Sequence, residues 1–146
     1  MNKPSAPMLY EFELISGARI ENEGDLDILA DKICDLFTDD VRLEDTSTTD
    51  VVTGRAELHE YCKALFGPYS DVRIEAKEVI DADHVSTMLI EISGTHTGEL
   101  YGYAPSGKRV SFPAVAIYRT NEDNTKVRHE TLSYDTNFII NQITGG

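Results

Sequence analysis

The fold of this chain is decided by the stretch Gly94-Thr-His-Thr-Gly-Glu-Leu-Tyr-Gly-Tyr-Ala-Pro-Ser-Gly-Lys-Arg-Val110. Its first residues are typical of the end of a strand, and glycines then punctuate an extended segment that carries His96. The Pro-Ser-Gly triplet at 105–107 predicts a turn, after which a second strand begins. This pattern favours a sheet of long consecutive strands in the second half of the chain.

The hydrophobic pattern of the chain changes period near Asp71. Before that point apolar residues recur at helical spacing, and after it they alternate as they do in strands. We predict helices at 8–22, from a cap at Asp25 to about residue 38, at 54–66, and from a cap at Asp135 or Thr136 to about residue 143. The predicted strands lie at 41–45, 72–80, 84–98, 108–120 and 126–134.

Helices followed by four long strands imply an α+β domain, in which a curled antiparallel sheet wraps around the N-terminal helices. We expect this sheet to form a cone-shaped barrel with an interior apolar pocket at its open end. The length of 146 residues fits one domain over residues 1–146. Flexible ends are expected at 1–7 and 144–146.

Acidic residues dominate the charge of the chain, which is −13 at pH 7. This charge excludes nucleic acid and anionic membrane surfaces as partners, and it favours a neutral or cationic ligand. No apolar run is long enough to cross a bilayer, and residues 1–7 lack the core of a secretory signal, so we expect a cytoplasmic protein. Cys34 and Cys62 fall among apolar helical neighbours and are expected to be buried, and no spacing indicates a metal site.

Three segments together resemble the SnoaL-like polyketide cyclase family: the stretch 94–110, Gly24-Asp25-Leu26-Asp27, and Ser133-Tyr134-Asp135. That family belongs to the nuclear-transport-factor-2-like superfamily, which also contains the ketosteroid isomerases. The resemblance implies a cone-shaped domain that takes a small hydrophobic substrate and uses no cofactor and no metal. It also implies a homodimer formed through the outer face of the sheet, on which we expect Val115, Ile117, Val127 and Thr131.

Two catalytic positions of the founding cyclases are apolar in this chain. The ending Tyr134-Asp135, followed by Ile139-Ile140-Asn141-Gln142-Ile143, is similar to the last strand and the Leu-Leu-x-Gln-Leu helix of the family. That register implies Leu132 at the catalytic Asp position and Ala116 at the catalytic His position. The oxyanion-hole positions of the ketosteroid isomerases correspond to about Gly17 and Ala116, so the donors that stabilise an enolate in those enzymes are also missing.

Asp45 is the first candidate for a catalytic group. The run Leu36-Phe-Thr-Asp-Asp-Val-Arg-Leu-Glu-Asp45 resembles the segment of the ketosteroid isomerases whose carboxylate shuttles a proton next to a carbonyl. A carboxylate at a strand end that points into an apolar cone suits a general base. The alternative is a loop aspartate that caps the turn before Thr46.

Glu130 and His96 are the other two catalytic candidates. If Leu132 faces the pocket, alternation along its strand places Glu130 on the same face. An inward carboxylate needs a partner, and His96 would supply one suited to acid–base catalysis. The alternatives are an ion pair of Glu130 with Arg128 and a His96 that only hydrogen-bonds the strand edge. The side chains expected to line the pocket and bind ligand are Tyr101, Phe112, Ala116, Tyr118, Arg128, Leu132 and Tyr134.

These features leave three functions open. The first is a cofactor-independent cyclase or isomerase that acts on a polyketide- or terpenoid-type intermediate by acid–base catalysis. The second is an epoxide hydrolase or dehydratase on the same scaffold, although the Arg-x-Asp strand motif of such hydrolases is absent from the sequence. The third is a domain that binds a small ligand without catalysis.

Overall fold

This computed structural model describes residues 20–145. The flexible segment expected at 1–7 and nearly all of the helix predicted at 8–22 lie outside these residues. The described helices are α1 (Glu23–Cys34), α2 (Gly54–Phe66) and α3 (Thr136–Thr144). The described strands are β1 (Phe37–Asp45), β2 (Asp50–Thr53), β3 (Tyr69–Ala82), β4 (Val85–His96), β5 (Arg109–Thr120) and β6 (Val127–Tyr134).

The strands form one sheet in the order β2-β1-β6-β5-β4-β3. Neighbouring strands are antiparallel except β1 and β6, which run parallel. The sheet curls without closing, so β2 and β3 remain at its edges. The predicted α+β architecture is confirmed. The sheet is mixed rather than purely antiparallel, because β1 enters it beside β6 and in the same direction.

Irregular pairing bends the sheet around the helices. The register between β3 and β4 shifts between Ser70 and Arg73 and again between Ala76 and Glu78. Asp71, inside the first of these irregularities, has a φ of 55°. Extra residues of this kind bend a strand and increase its twist. The result is a concave inner face that holds α1 and α2.

Side-chain caps fix the starts of the first and last helices. The Oδ1 atom of Asn22 accepts a hydrogen bond from the backbone N–H of Asp25 over 2.9 Å, so α1 begins at Glu23 and not after a cap at Asp25 as predicted. Asp135 caps α3, as expected, by accepting from the N–H groups of Asn137 and Phe138. Thr144, expected in the flexible end, is the last residue of α3.

The hydrophobic core lies between the concave face of the sheet and the facing sides of α1 and α2. Burial alternates along β5, so every second side chain points toward the helices. Cys34 and Cys62 are buried, as predicted. Burial raises the pKa of the Cys34 thiol to about 11, which makes this thiol unreactive at neutral pH.

Within residues 20–145, every helix is too short or too polar to span a bilayer. In the same part of the chain, the His, Cys, Asp and Glu side chains form no group of three that could hold a metal ion.

Candidate active site

A cavity of about 170 Å³ lies where β1 and β6 end side by side, between α2, α3 and the start of β5. Its acidic residues are Asp45 and Asp50. Its aromatic residues are Tyr61, Tyr69, Tyr101, Phe112 and Tyr134. Aliphatic side chains from α2, α3 and the segment after β4 complete the wall. A mostly apolar cavity with a few converging polar groups is the usual form of a small-molecule site.

Asp45, at the end of β1, is the most enclosed polar group of this cavity, with 1% of its surface exposed. The hydroxyl of Tyr61 donates to its Oδ2 atom over 2.7 Å, and the hydroxyl of Tyr134 donates to the same atom over 3.1 Å. The backbone N–H of Ser47 donates to Oδ1 over 2.9 Å. Asp45 therefore caps the turn after β1, which was the predicted alternative, and it also lines the cavity, while its role as a general base stays a prediction.

Tyr61 reaches Asp45 from α2. It lies on the helix face that also carries Leu58 and Leu65, because residues three and four apart share a face. Burial raises the pKa of Tyr61 far above its usual value, and the hydrogen bond to Asp45 and the charges of Asp45 and Glu130 raise it further. Tyr61 consequently stays protonated and acts as a hydrogen-bond donor throughout the neutral range.

Tyr134 and Tyr101 also line the cavity, and the Tyr134 hydroxyl donates to Asp45. Burial is the main cause that raises the pKa of each hydroxyl, and the charge of Asp45 contributes to both. The two hydroxyls also lie close enough for each to affect the pKa of the other. Tyr101, which is 39% exposed, is the most exposed of the tyrosines that line the cavity.

Tyr101 is carried by the loop 97–108, which folds back over the cavity. Leu100 and Tyr103 pair with each other through reciprocal backbone hydrogen bonds of 3.0 and 2.9 Å. Between them, Tyr101 has a φ of 51° and Gly102 a φ of 83°, as a two-residue hairpin turn requires. Glycine adopts this backbone without strain, whereas for a tyrosine it is strained by on the order of 1 kcal/mol. The backbone pairing of Leu100 with Tyr103 holds the turn in this shape.

His96 holds the base of this loop. Its side chain is fully buried, and its Nδ1 atom lies 2.8 Å from Ser106 Oγ and accepts a hydrogen bond of 3.1 Å from the Ser106 backbone N–H. Within residues 20–145, its Nε2 atom has no hydrogen-bond partner. These contacts extend the predicted strand-edge role of His96 to the loop. His96 is not among the residues that line the cavity.

Glu130 is buried on the inner face of β6, as predicted, but it also does not line the cavity. It pairs with Leu43 of β1 and Tyr118 of β5 in the sheet. The backbone of His96, by contrast, pairs with Lys108 before the start of β5. Ten residues along β5 amount to about 30 Å of strand. The structure therefore does not bring His96 and Glu130 together as an acid–base pair.

The residues expected to bind ligand divide into three groups. Tyr101, Phe112 and Tyr134 line the cavity. Ala116, Tyr118 and Leu132 face inward and are buried, as alternation predicts, but they lie deeper in the core.

Arg128 is exposed and donates from Nε to the Thr120 carbonyl over 3.2 Å, in a polar groove away from the cavity. Its predicted inward position is wrong, because the pairing of β5 and β6 is irregular at Arg119 and Thr120 and the alternation breaks there.

Several residues that line the cavity are not among the predicted site residues, for example Thr48, Asp50, Tyr61, Tyr69 and Leu100. Of these, only Tyr61 could have been identified from the sequence. A tyrosine on an otherwise apolar helix face must find a partner for its hydroxyl when the face is buried. Asp45 is that partner, but it is 16 residues away in sequence and on another element.

The arrangement supplies one buried carboxylate, Asp45, that can accept a proton, and tyrosine hydroxyls that can donate hydrogen bonds. The side chains that line the cavity include no Lys, Arg or His. Three neutral donors around Asp45 leave one of its roughly four lone-pair positions for a ligand. Chemically, the site can remove a proton from a bound molecule and return it, without a charged partner from the protein.

Comparison with known proteins agrees with this architecture. A family model described as SnoaL-like polyketide cyclase matches residues 17–143. A search of curated proteins finds no match. Among solved structures, a protein of Jannaschia sp. CCS1 described as a SnoaL-like polyketide cyclase aligns with a TM-score of 0.81 at 16% identity, covering 100% of this chain and 98% of that one.

Two further solved structures carry other descriptions. AclR from Streptomyces galilaeus, described as a hydroxylase, aligns with a TM-score of 0.75 at 18% identity over 97% of this chain and 95% of its own. SalBIII, an epoxide hydrolase/cyclase-like enzyme with a role in pyran ring formation in the polyether salinomycin, aligns with a TM-score of 0.67 at 20% identity over 90% and 89%. At these identities the likeness shows a shared fold.

Proposed function

Because the chain belongs to the SnoaL-like polyketide cyclase family, we propose that it closes a ring in a polyketide- or terpenoid-type intermediate by acid–base catalysis at Asp45, without a cofactor. The observation that carries this proposal is the enclosed Asp45 carboxylate, which faces the cavity and is surrounded only by neutral hydrogen-bond donors. Glu130 and His96 lie away from the cavity lining, so the proposal gives the proton transfer to Asp45.

The proposed reaction moves one proton out and back. The Asp45 carboxylate takes a proton from a carbon next to a carbonyl, and the electrons of the C–H bond form an enolate. The enolate carbon attacks a second carbonyl of the same molecule, which forms a C–C bond and leaves the negative charge on the second oxygen. Asp45 then returns its proton to that oxygen, so the carboxylate is regenerated.

Tyr101 is the proposed donor to the enolate oxygen. Tyr61 and Tyr134 already donate to Asp45, whereas Tyr101 lines the same cavity from a more exposed position, where its hydroxyl can meet a bound molecule. One such donor contributes on the order of 3 kcal/mol to an oxyanion. This contribution would offset part of what is lost with Ala116 and Leu132 at the family's usual catalytic positions.

The test is the ring closure of heptane-2,6-dione, a small diketone whose aldol product loses water to give a conjugated enone with strong ultraviolet absorbance. We expect the protein to accelerate the reaction and Asp45→Asn to reduce that acceleration by about 10²–10⁴. Asp40→Asn, the same change at an exposed position of β1, is the matched control and should react as the unmodified protein does. If Asp45→Asn cyclises the diketone as fast as Asp40→Asn, the proposed role of Asp45 is wrong.

A further inference from the structure

We propose that the substrate of this cavity carries a tertiary or quaternary ammonium group close to its reacting carbon. The proposal rests on the proposed function only in taking this cavity as the substrate site, and it narrows the substrate to a cationic class. Three features of the described residues support it: the charges around the cavity, its aromatic walls, and the charge balance of the reaction.

The charges around the cavity are all negative. Asp45 and Asp50 line it, and the side chains beside them include no Lys, Arg or His. Glu130 is buried nearby, since its charge contributes to the raised pKa of Tyr61. Among residues 20–145, the buried Asp, Glu, Lys, Arg and His side chains are those of Asp45, Glu130 and His96, and His96 contacts Ser106. A cationic ligand would be attracted into this space and an anionic one repelled.

The walls of the cavity are rich in aromatic rings. Tyr69, Tyr101, Phe112 and Tyr134 all contribute to the lining, and the rings of Phe112 and Tyr134 meet at a tilt with their centroids 5.6 Å apart. Aromatic rings attract a cation held within about 6 Å of their centres, and the attraction is stronger when water is excluded. A quaternary ammonium has no N–H to donate. It can therefore lie against these rings and leave the open lone pair of Asp45 to accept the reacting proton.

The charge balance of the reaction explains why a cation would help. When Asp45 takes the proton, the negative charge moves from the carboxylate to the enolate, and the protein lining supplies no cation to follow it. The resemblance implies that the oxyanion-hole positions of the ketosteroid isomerases hold about Gly17 and Ala116 in this chain, and neither side chain can donate a hydrogen bond to the enolate. A substrate that brings its own positive charge stabilises both the starting carboxylate and the enolate at a distance of a few ångströms.

The test compares choline with its neutral isostere 3,3-dimethylbutan-1-ol. The two probes have the same shape and the same hydroxyl, so a difference in their affinity reports the positive charge alone. Binding is followed by nuclear magnetic resonance titration of the unmodified protein, Asp45→Asn and Asp40→Asn. We expect choline to bind the unmodified protein about tenfold more tightly than the neutral probe. Asp45→Asn should remove most of this preference, and Asp40→Asn should keep it.

Equal affinity for the two probes, tighter binding of the neutral probe, or no choline binding at millimolar concentration would each overturn the proposal. A choline preference that persists in Asp45→Asn would place the cation away from this cavity and would overturn it as well. These failures differ from failure of the proposed function, because ring closure of the neutral heptane-2,6-dione could still depend on Asp45 when the cation preference is absent.

Discussion

Tyr61 and Tyr134 donate to the same oxygen of Asp45, while the other oxygen accepts from the Ser47 backbone. These bonds fix the orientation of the carboxylate before any substrate binds, which is the condition for efficient proton transfer. Asp45 itself could be predicted from the sequence around β1. Its partners could not, because Tyr61 and Tyr134 lie 16 and 89 residues away and meet it only through the fold.

Tyrosines whose hydroxyls are enclosed by the fold make the free energy of unfolding depend on pH in the alkaline range. Burial is the first cause that raises the pKa values of Tyr61, Tyr69 and Tyr134. Above about pH 10 the unfolded chain loses tyrosine protons that the folded protein retains. Their contribution to stability is therefore complete below about pH 10 and is lost as the pH rises beyond it. We expect the free energy of unfolding to fall there by about 1.4 kcal/mol per pH unit for each such tyrosine.

Urea unfolding followed by circular dichroism at pH values from about 8 to 11 measures this slope. Tyr61→Phe should make the slope shallower by about one proton. Tyr103→Phe, which changes an exposed tyrosine, is the matched control. An unchanged slope in Tyr61→Phe would contradict the buried position of this hydroxyl.

At the scale of single elements, the loop 97–108 depends on His96. The Nδ1 atom of His96 contacts both the hydroxyl and the backbone N–H of Ser106, and the Ser106 hydroxyl also accepts from the Lys108 N–H. His96 therefore acts on the cavity through the loop that carries Tyr101, which makes it a positioning residue. The sequence pattern alone does not link His96 to Tyr101, because the connection runs through the contacts of His96 with Ser106 inside the loop.

Ser106→Ala removes the hydroxyl contacts of this anchor and keeps the backbone hydrogen bond. One lost hydrogen bond is worth about 1 kcal/mol, so we expect amide hydrogens in 97–108 to exchange about five to ten times faster. Hydrogen exchange resolved by nuclear magnetic resonance provides the measurement. Ser133→Ala, in β6, serves as the control and should leave the loop unchanged. Equal exchange in the two variants would show that His96 does not anchor the loop through Ser106.

Element boundaries show where sequence patterns succeed and fail. The segments in which apolar residues alternate predicted all four long strands. The predicted bounds of α2 are confirmed, because the start at Gly54 and the end at Gly67-Pro68 are signalled by local residues. The strand β2 was missed, since Asp50–Thr53 is short, polar at its ends and paired only with β1. The inward position of Arg128 was wrong, because alternation cannot reveal an irregular strand pairing.

At the scale of the whole molecule, the outer face of the sheet carries an exposed apolar patch. Leu89 and Val115 pair across β4 and β5 and are 42% and 40% exposed. Val127, which was expected on this face, is instead buried at 1% exposure. We propose that this patch of Leu89 and Val115 pairs with a second copy of the chain. In a dimer with a twofold axis, the patch of each copy covers the patch of the other.

Light scattering at about 10 μM checks the proposed dimer, because a stable dimer has a tighter dissociation constant than this. The expected mass is twice the 16.3 kDa of the chain. Val115→Lys should shift the mass toward that of one chain. Val51→Lys, at a similarly exposed position on β2, should not. A mass of one chain for the unmodified protein would rule the dimer out at this concentration.

The global shape follows from the sequence more readily than the site does. Helices before a run of alternating strands lead to the curled α+β domain whatever the exact register. The predicted acid–base pair of His96 and Glu130 requires both residues to lie at the same end of the sheet. Alternation gives the face of a residue and not its distance along the sheet, so the pair was inferred from residues that the strands hold far apart.

The most direct test of the central claim is hydrogen–deuterium exchange at a carbon next to a carbonyl. The probe is 2-tetralone, a small ketone, in D₂O, and nuclear magnetic resonance follows the loss of its α protons. This readout isolates proton removal from ring closure and from product release. If Asp45 is the base, the protein should accelerate exchange, and Asp45→Asn should reduce the acceleration by about 10²–10⁴ while Asp40→Asn leaves it intact. Equal acceleration by the two variants would contradict the account.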